Sequence, residues 1–131
     1  MNPEELIKTA FQALIHAHAP YSAYKVGAAL LCDDGTVFTG CNVENASYGL
    51  TNCAERTAIF AAVAAGRRAF KAIAIAASKE PVPYPCGACR QVMAEFCGPD
   101  FPVYIAKGDG FETATLGELL PHSFDFEVSD D

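Results

Sequence analysis

Basic residues are scarce in this chain: 9 Lys and Arg stand against 16 Asp and Glu, a formal net charge of −7. They form no run, and the densest spot, Arg67-Arg68, reads as a solvated helix end. A protein that grips a polyanion recruits Lys and Arg to displace counterions from phosphates. The shortage argues against nucleic acid as partner or substrate polymer; a small neutral ligand fits better. Long apolar runs are also missing, so no membrane span is expected. The opening MNPEELIKTAF lacks the basic and apolar regions of a secretory signal, and a cytoplasmic location is expected. Internal repeats and low-complexity tracts are absent as well. What is present is ordinary for a folded globular chain: 51% hydrophobic and 19% charged residues over 131 positions. That length suits one domain spanning residues 1–131, with no linker.

Six cysteines in so short a chain could mean a secreted disulfide scaffold. The polar, acidic N-terminus points instead to a reducing cytosol, and three of the six form a pattern suited to metal. Cys53 is followed two residues later by Glu55, and Pro85-Cys86-Gly87-Ala88-Cys89 follows about thirty residues on. Cys32, Cys41 and Cys97 read as small buried hydrophobes.

The elements follow from pattern. Asn2-Pro3-Glu4-Glu5 is a helix start, with a capping Asn, Pro at the first helical position and acids in the first turn. Leu6, Ile7, Ala10, Phe11, Leu14 and Ala17 recur at helical spacing, and Pro20 ends that helix near His18. Val26 to Leu31 and Thr36 to Gly40, joined by Asp33-Asp34-Gly35, read as a β-hairpin. Cys41 to Asn52 is polar and reads as a functional loop. Alanine-rich Cys53 to Ala65 is a helix that Gly66 can cap; Ala72 to Ala77 is a strand buried on both faces. A stiff loop with Pro81, Pro83 and Pro85 leads to a helix from about Cys86 to Phe96, then a strand from Pro102 to Ala106. Phe111 to Ala114 is a short segment, Thr115 to Glu118 a capping box for a brief last helix, and Phe124 to Asp131 an acidic tail. The order predicts an α/β fold, with the helices at Cys53 and Cys86 as crossovers between neighbouring parallel strands.

Cys86 and Cys89 in the first turn of one helix, with Cys53 opening another, could aim three sulfurs at one Zn²⁺. Converging helix N-termini would favour the thiolates that zinc requires. Arg56, three residues after Cys53, is the candidate cation for donating to sulfur. A catalytic zinc keeps one position open for water, and Glu55 is the candidate base that takes a proton from it. Alone, Cys-x-x-Cys also occurs in redox and structural zinc sites, and Glu55 alone could be a solvated first-turn acid. Together they match the three-cysteine form of the zinc deaminase signature. His16, His18 and His122 are tempting ligands, but surface or capping roles suit them better.

Beyond this motif the chain resembles the small homotetrameric cytidine deaminases over nearly its whole length. The matching stretches are Ala19-Pro20-Tyr21-Ser22, Val26 to Leu31, Gly40-Cys41-Asn42-Val43-Glu44-Asn45-Ala46, Cys53 to Ala58, Pro85 to Gln91, and Glu118-Leu119-Leu120-Pro121. The resemblance implies a three-layer α/β/α sandwich with a mixed five-stranded sheet and one Zn²⁺ per chain. It also implies hydrolytic deamination of cytidine and 2′-deoxycytidine in pyrimidine salvage. Asn42 and Glu44 would bind the ribose hydroxyls; Glu55 and the Ala54 backbone would hold the pyrimidine edge. Tyr24, usually Phe in this family, would border the base pocket. Phe124 would enter a neighbouring subunit's site in the tetramer, and Ala46 and Tyr48 would lie at the interface. Blasticidin deaminases share the zinc motif, but Asn42-x-Glu44-Asn45 favours a nucleoside. Polynucleotide deaminases call for a basic groove. A structural zinc module would need a fourth ligand, Cys41 or Cys97, and would leave Glu55 dispensable.

Overall fold

A computed structural model describes residues 1–126, so the acidic stretch 127–131 of the expected tail lies outside the described residues. Helix α1 (Pro3–Ala13) begins as the sequence predicts: Asn2 Oδ1 accepts from the Glu5 amide at 2.8 Å, with Glu4 and Glu5 in the first turn. It ends earlier than expected, passing at Leu14–His16 into a 3-10 turn, and Phe11 faces outward. Strands β1 (Val26–Cys32) and β2 (Val37–Cys41) form the expected hairpin. Gly35 makes its turn in the left-handed region at φ 89°, which an L side chain would resist. Helix α2 (Ala54–Ala64), strand β3 (Phe70–Ala77), helix α3 (Gly87–Phe96) and strand β4 (Pro102–Lys107) follow. The segment around Phe111 is a full strand, β5 (Gly110–Thr115), paired to β4, and Thr115 and Glu118 close the capping box of α4 (Leu116–Leu119).

The five strands run in the order β2-β1-β3-β4-β5. The crossover through α3 does join parallel neighbours, β3 and β4. The crossover through α2 does not: it carries the chain from edge strand β2 past β1, and β3 pairs antiparallel with β1. One of the two expected parallel pairs is therefore absent, and the sheet is mixed.

Alternation along the strands separates two cores. From β1, Ala28, Leu30 and Cys32 face α2 and α3, while Ala29 and Leu31 face α1. From β3, Ile73 and Ile75 join the first group and Ala72, Ala74 and Ala76 the second. The small residues let α1 sit close, with Leu6, Ile7 and Ala10 filling the space. On the other face Ala58, Ile59, Ala62 and Met93 pack over Val103 and Ile105. Helices thus cover both faces of the sheet, in three layers.

Two glycines set how closely the helices approach. A Cβ on Gly40 of β2 would lie 2.4 Å from both the Ala54 carbonyl oxygen and the Ala58 amide nitrogen of α2. A Cβ on Gly27 of β1 would lie 2.0 Å from the Ala10 carbonyl oxygen of α1 on the opposite face. Gly40 therefore fixes where the first turn of α2 rests. Among the described residues, no helix is long and apolar enough to cross a membrane.

Candidate active site and metal centre

Cys53 and Cys86 occupy the N-cap positions of α2 and α3, both with extended backbone, and Cys89 follows in the first turn of α3. Neither cysteine caps through its side chain, so their sulfurs are free to turn towards each other. The Cys53 and Cys86 sulfurs are 3.8 Å apart, those of Cys86 and Cys89 are 3.6 Å apart, and all three lie within 4.8 Å of one another. Tetrahedral zinc with Zn–S bonds near 2.3 Å calls for sulfurs about 3.8 Å apart, so the donor set fits this ion. Among the described residues neither Cys41 nor Cys97 joins the cluster, and no fourth protein ligand closes it. Cys32 is buried in the core, whereas Cys41 and Cys97 are only half-buried. The three histidines stand apart from it: His16 closes the 3-10 turn, His18 bridges to Val43, and His122 follows α4 with φ 55°.

The surroundings hold the ligands in place. The Cys53 carbonyl accepts from the Thr57 amide at 3.0 Å and the Thr57 hydroxyl at 3.1 Å, and Asn52 Nδ2 donates to that hydroxyl at 3.1 Å. Arg56 Nη2 donates to the Cys53 sulfur at 3.3 Å, as the sequence predicts. Arg90 ties Pro85, just before Cys86, to the end of α4: Nε donates to the Pro85 carbonyl at 2.7 Å and Nη1 to that of Leu119 at 2.6 Å. Hydrogen bonding from Cys89, followed by the Arg56 contact, pulls the Cys53 thiol below its ordinary value. The same Cys53 contact, with burial, holds Cys89 above its own. The lowering at Cys53 favours the thiolate form that zinc requires.

Glu55, on the second residue of α2, is 4% exposed. Burial pushes its carboxyl up to about 7; hydrogen bonds from its own amide and from Cys89 offset part of that, and the charge of Cys53 adds to it. A solvated first-turn acid would not be buried in this way. Glu55 lines a cavity of about 300 Å³ with Tyr24, Val26, Asn42, Thr51, Cys53, Ala54, Cys86 and the loop Pro81 to Tyr84. That is the low end of the volume range for small-molecule sites.

The predicted substrate residues divide. Tyr24, Asn42 and Ala54 line this cavity. Asn42 is 8% exposed, and its amide is engaged: Oδ1 accepts from Val26 N at 2.9 Å and Nδ2 donates to Tyr24 O at 2.8 Å. Glu44 is only half-buried and lines an adjoining cavity of about 190 Å³ with Tyr21, Ser22, Tyr48 and Thr51. Thr51 borders both. The Glu44 carboxylate accepts from the Tyr21 and Ser22 amides at 3.0 and 3.1 Å and from the Ser22 hydroxyl. Asn42 and Glu44 are therefore not one buried pair. Phe124, 68% exposed, lies outside the Glu55 cavity of its own chain, packed edge-on against Phe126 with its carbonyl accepting from Gln91 Nε2.

Sequence reasoning missed the part played by Gly40, Thr51 and the proline loop. An isolated glycine in a strand was a usable signal, since it marks close backbone approach. The loop's cavity-facing role had no local signature.

A buried acid beside a three-thiol cluster that leaves one corner open defines the class of zinc-dependent deaminases. The family model described as the cytidine and deoxycytidylate deaminase zinc-binding region matches residues 1–105, and the chain belongs to that family. It is 56% identical over 133 aligned positions to a cytidine deaminase of Halalkalibacterium halodurans, covering 100% of each chain. A cytidine deaminase of Sporosarcina psychrophila is 53% identical over 129 residues, covering 97% of this chain and 94% of that one. The crystal structure of cytidine deaminase from Burkholderia pseudomallei superposes with a TM-score of 0.90 at 51% identity, covering 95% of this chain and 100% of that one.

Proposed function

We propose that residues 1–131 form one deaminase domain that hydrolyses cytidine and 2′-deoxycytidine to uridine and 2′-deoxyuridine. Ammonia is released, and the place of the reaction is pyrimidine salvage in the cytoplasm. The observation that carries the reading is Glu55, a buried carboxyl beside three convergent thiols at the wall of a nucleoside-sized cavity. A closed structural zinc site has no use for an acid there.

Cys53, Cys86 and Cys89 hold the zinc, and Arg56 steadies the Cys53 thiolate by donating to its sulfur. When bound, zinc supplies the Lewis acidity that makes water a competent nucleophile near neutral pH. Glu55 takes the proton that water loses as its oxygen bonds to C4 of the pyrimidine, and delivers it to the ring nitrogen. Glu55 then takes the remaining proton of the new C4 hydroxyl and gives it to the departing amine as the C4–N bond breaks and the C4 carbonyl forms, so one carboxyl serves in both directions. Its raised proton affinity suits that alternation.

The Ala54 backbone and Glu55 hold the pyrimidine edge, and Tyr24 borders the base. Asn42 and Glu44 take the ribose hydroxyls; substrate reaching Glu44 shares or replaces its Ser22 contact. Tyr48, Leu50, Phe60, Phe124 and Phe126 are large, apolar and exposed, as subunit contacts require. Four copies assemble, with Phe124 entering a neighbour's cavity.

The test is ammonia release from zinc-loaded protein given cytidine, 2′-deoxycytidine, cytosine, adenosine or blasticidin S. Release from the two cytidines alone is expected. Release from blasticidin S alone would leave the zinc chemistry standing and overturn the nucleoside pocket.

A further inference from the structure

The loop between β3 and α3 is one wall of the Glu55 cavity, to which it contributes Pro81, Val82, Pro83 and Tyr84. Its other side is open too: a second cavity of about 300 Å³ lies behind it, lined by Phe11, Lys79, Lys107 and the same Pro81 to Pro83. A wall with space on both sides takes its position from whatever ties it. Pro81 and Pro83 have no amide hydrogen to donate. The Tyr84 amide donates to Val82 O at 2.9 Å, which is a bond within the loop itself. At the loop's far end the Tyr84 hydroxyl donates to Glu112 on β5 at 2.6 Å. At its start Ser78 N donates to Lys25 O at 2.8 Å. Between them, the Tyr24 hydroxyl donates to the Pro81 carbonyl at 2.5 Å, joining segments 57 positions apart in sequence.

We infer that Tyr24 is a positioning residue, its hydroxyl latching the middle of the proline wall and so setting the width of the base pocket. This deepens the deaminase reading and rests on it. The ring of Tyr24 lines the cavity while its hydroxyl is committed to the wall, so the two parts of one side chain do different things. The phenol is protonated and a donor at neutral pH, and burial, then the Glu80 and Glu55 carboxylates, raise it further above its ordinary value. A width fixed before substrate arrives acts on ground state and transition state alike. Its loss therefore raises KM and leaves kcat nearly untouched.

The experiment compares zinc-loaded wild type with Tyr24→Phe, which removes only the hydroxyl, and Tyr24→Leu, which also removes the ring. Amide exchange is read at Tyr84, whose amide is bonded to Val82 O, without nucleoside, and steady-state kinetics are read on cytidine. In Tyr24→Phe, exchange at the Tyr84 amide is expected to speed about fivefold, the change produced by losing one ordinary hydrogen bond. KM is expected to rise about threefold with kcat within about twofold. Wild-type exchange and wild-type KM in Tyr24→Phe would overturn the latch. So would a fall in kcat with KM unchanged, which would place the hydroxyl in the chemistry itself. A rise in KM seen only in Tyr24→Leu would assign the effect to the ring and overturn the latch as well. Failure of the wild type to deaminate cytidine would sink the deaminase reading instead, and the exchange data would still decide the latch.

Discussion

Gly40→Ala should separate the placement of α2 from everything else that stabilises the fold. The added Cβ would sit 2.4 Å from the Ala54 carbonyl oxygen and the Ala58 amide nitrogen and 3.0 Å from the Ala58 Cα. All three are backbone atoms, so no side chain can swing aside, and α2 must retreat about 1 Å to reach ordinary contact. Overpacking of this kind costs about 2 kcal/mol of stability. The first turn of α2 carries Cys53 at its cap and Glu55 at its second residue, so the retreat opens the thiol cluster on one side. A misplacement of about 1 Å at reacting groups can cost roughly a hundredfold in rate. Gly27→Ala is the matched control: its Cβ meets the Ala10 carbonyl oxygen at 2.0 Å, a harder clash, but against α1 on the other face of the sheet. The assays are thermal melting, zinc per chain and kcat on cytidine. Both variants should lose stability, and only Gly40→Ala should also lose zinc and most of its turnover. If Gly40→Ala keeps full zinc and a wild-type rate, the close packing of α2 on β2 does not position the site. Equal loss of zinc in Gly27→Ala would reduce the effect to general unfolding.

Three further outcomes follow from individual contacts. Arg56→Gln removes the 3.3 Å bond to the Cys53 sulfur and should weaken zinc binding about tenfold or more in competition with a chelator; an unchanged dissociation constant would refute that role. Arg90→Gln loses its two bonds to the Pro85 and Leu119 carbonyls and should cost about 3 kcal/mol in denaturant unfolding, with faster amide exchange around α4; wild-type stability would contradict it. Bonds from Ser22, then Tyr21, lower the Glu44 carboxyl below its ordinary value. Its hold on the Tyr21–Ser22 turn should therefore be complete above about pH 4.3 and be lost as pH falls through the lowered value. The amide resonances of Tyr21 and Ser22 report this directly, and in Glu44→Gln they should show no such titration.

Local structure was legible wherever a single residue type forces a conformation. Asn2-Pro3 and Thr115-x-x-Glu118 announce helix starts because each satisfies otherwise unpaired amides, and both caps form as expected. Asp33-Asp34-Gly35 announces the hairpin because only glycine enters its turn conformation freely. The zinc cluster was legible because thiolate chemistry fixes both residue type and spacing. Strand order was not, since the continuous apolar run of β3 says that both faces are buried and nothing about which strand lies beside it. Periodicity placed Phe11 on the packed face of α1, yet that face buries only Leu6, Ile7, Ala10 and Ala13, and Phe11, though within the helix, stays outside. The Tyr24–Pro81 contact joins segments that no local rule connects, so only the folded chain could reveal it.

The central claim is that Glu55 moves protons and does not hold the metal. Glu55→Gln keeps the size and hydrogen-bonding reach of the side chain while removing its titratable proton. Zinc per chain and ammonia release from cytidine, measured on the same preparation, should give full metal with turnover reduced by about a thousandfold. Loss of zinc in that variant, or turnover within a few-fold of wild type, would contradict the account.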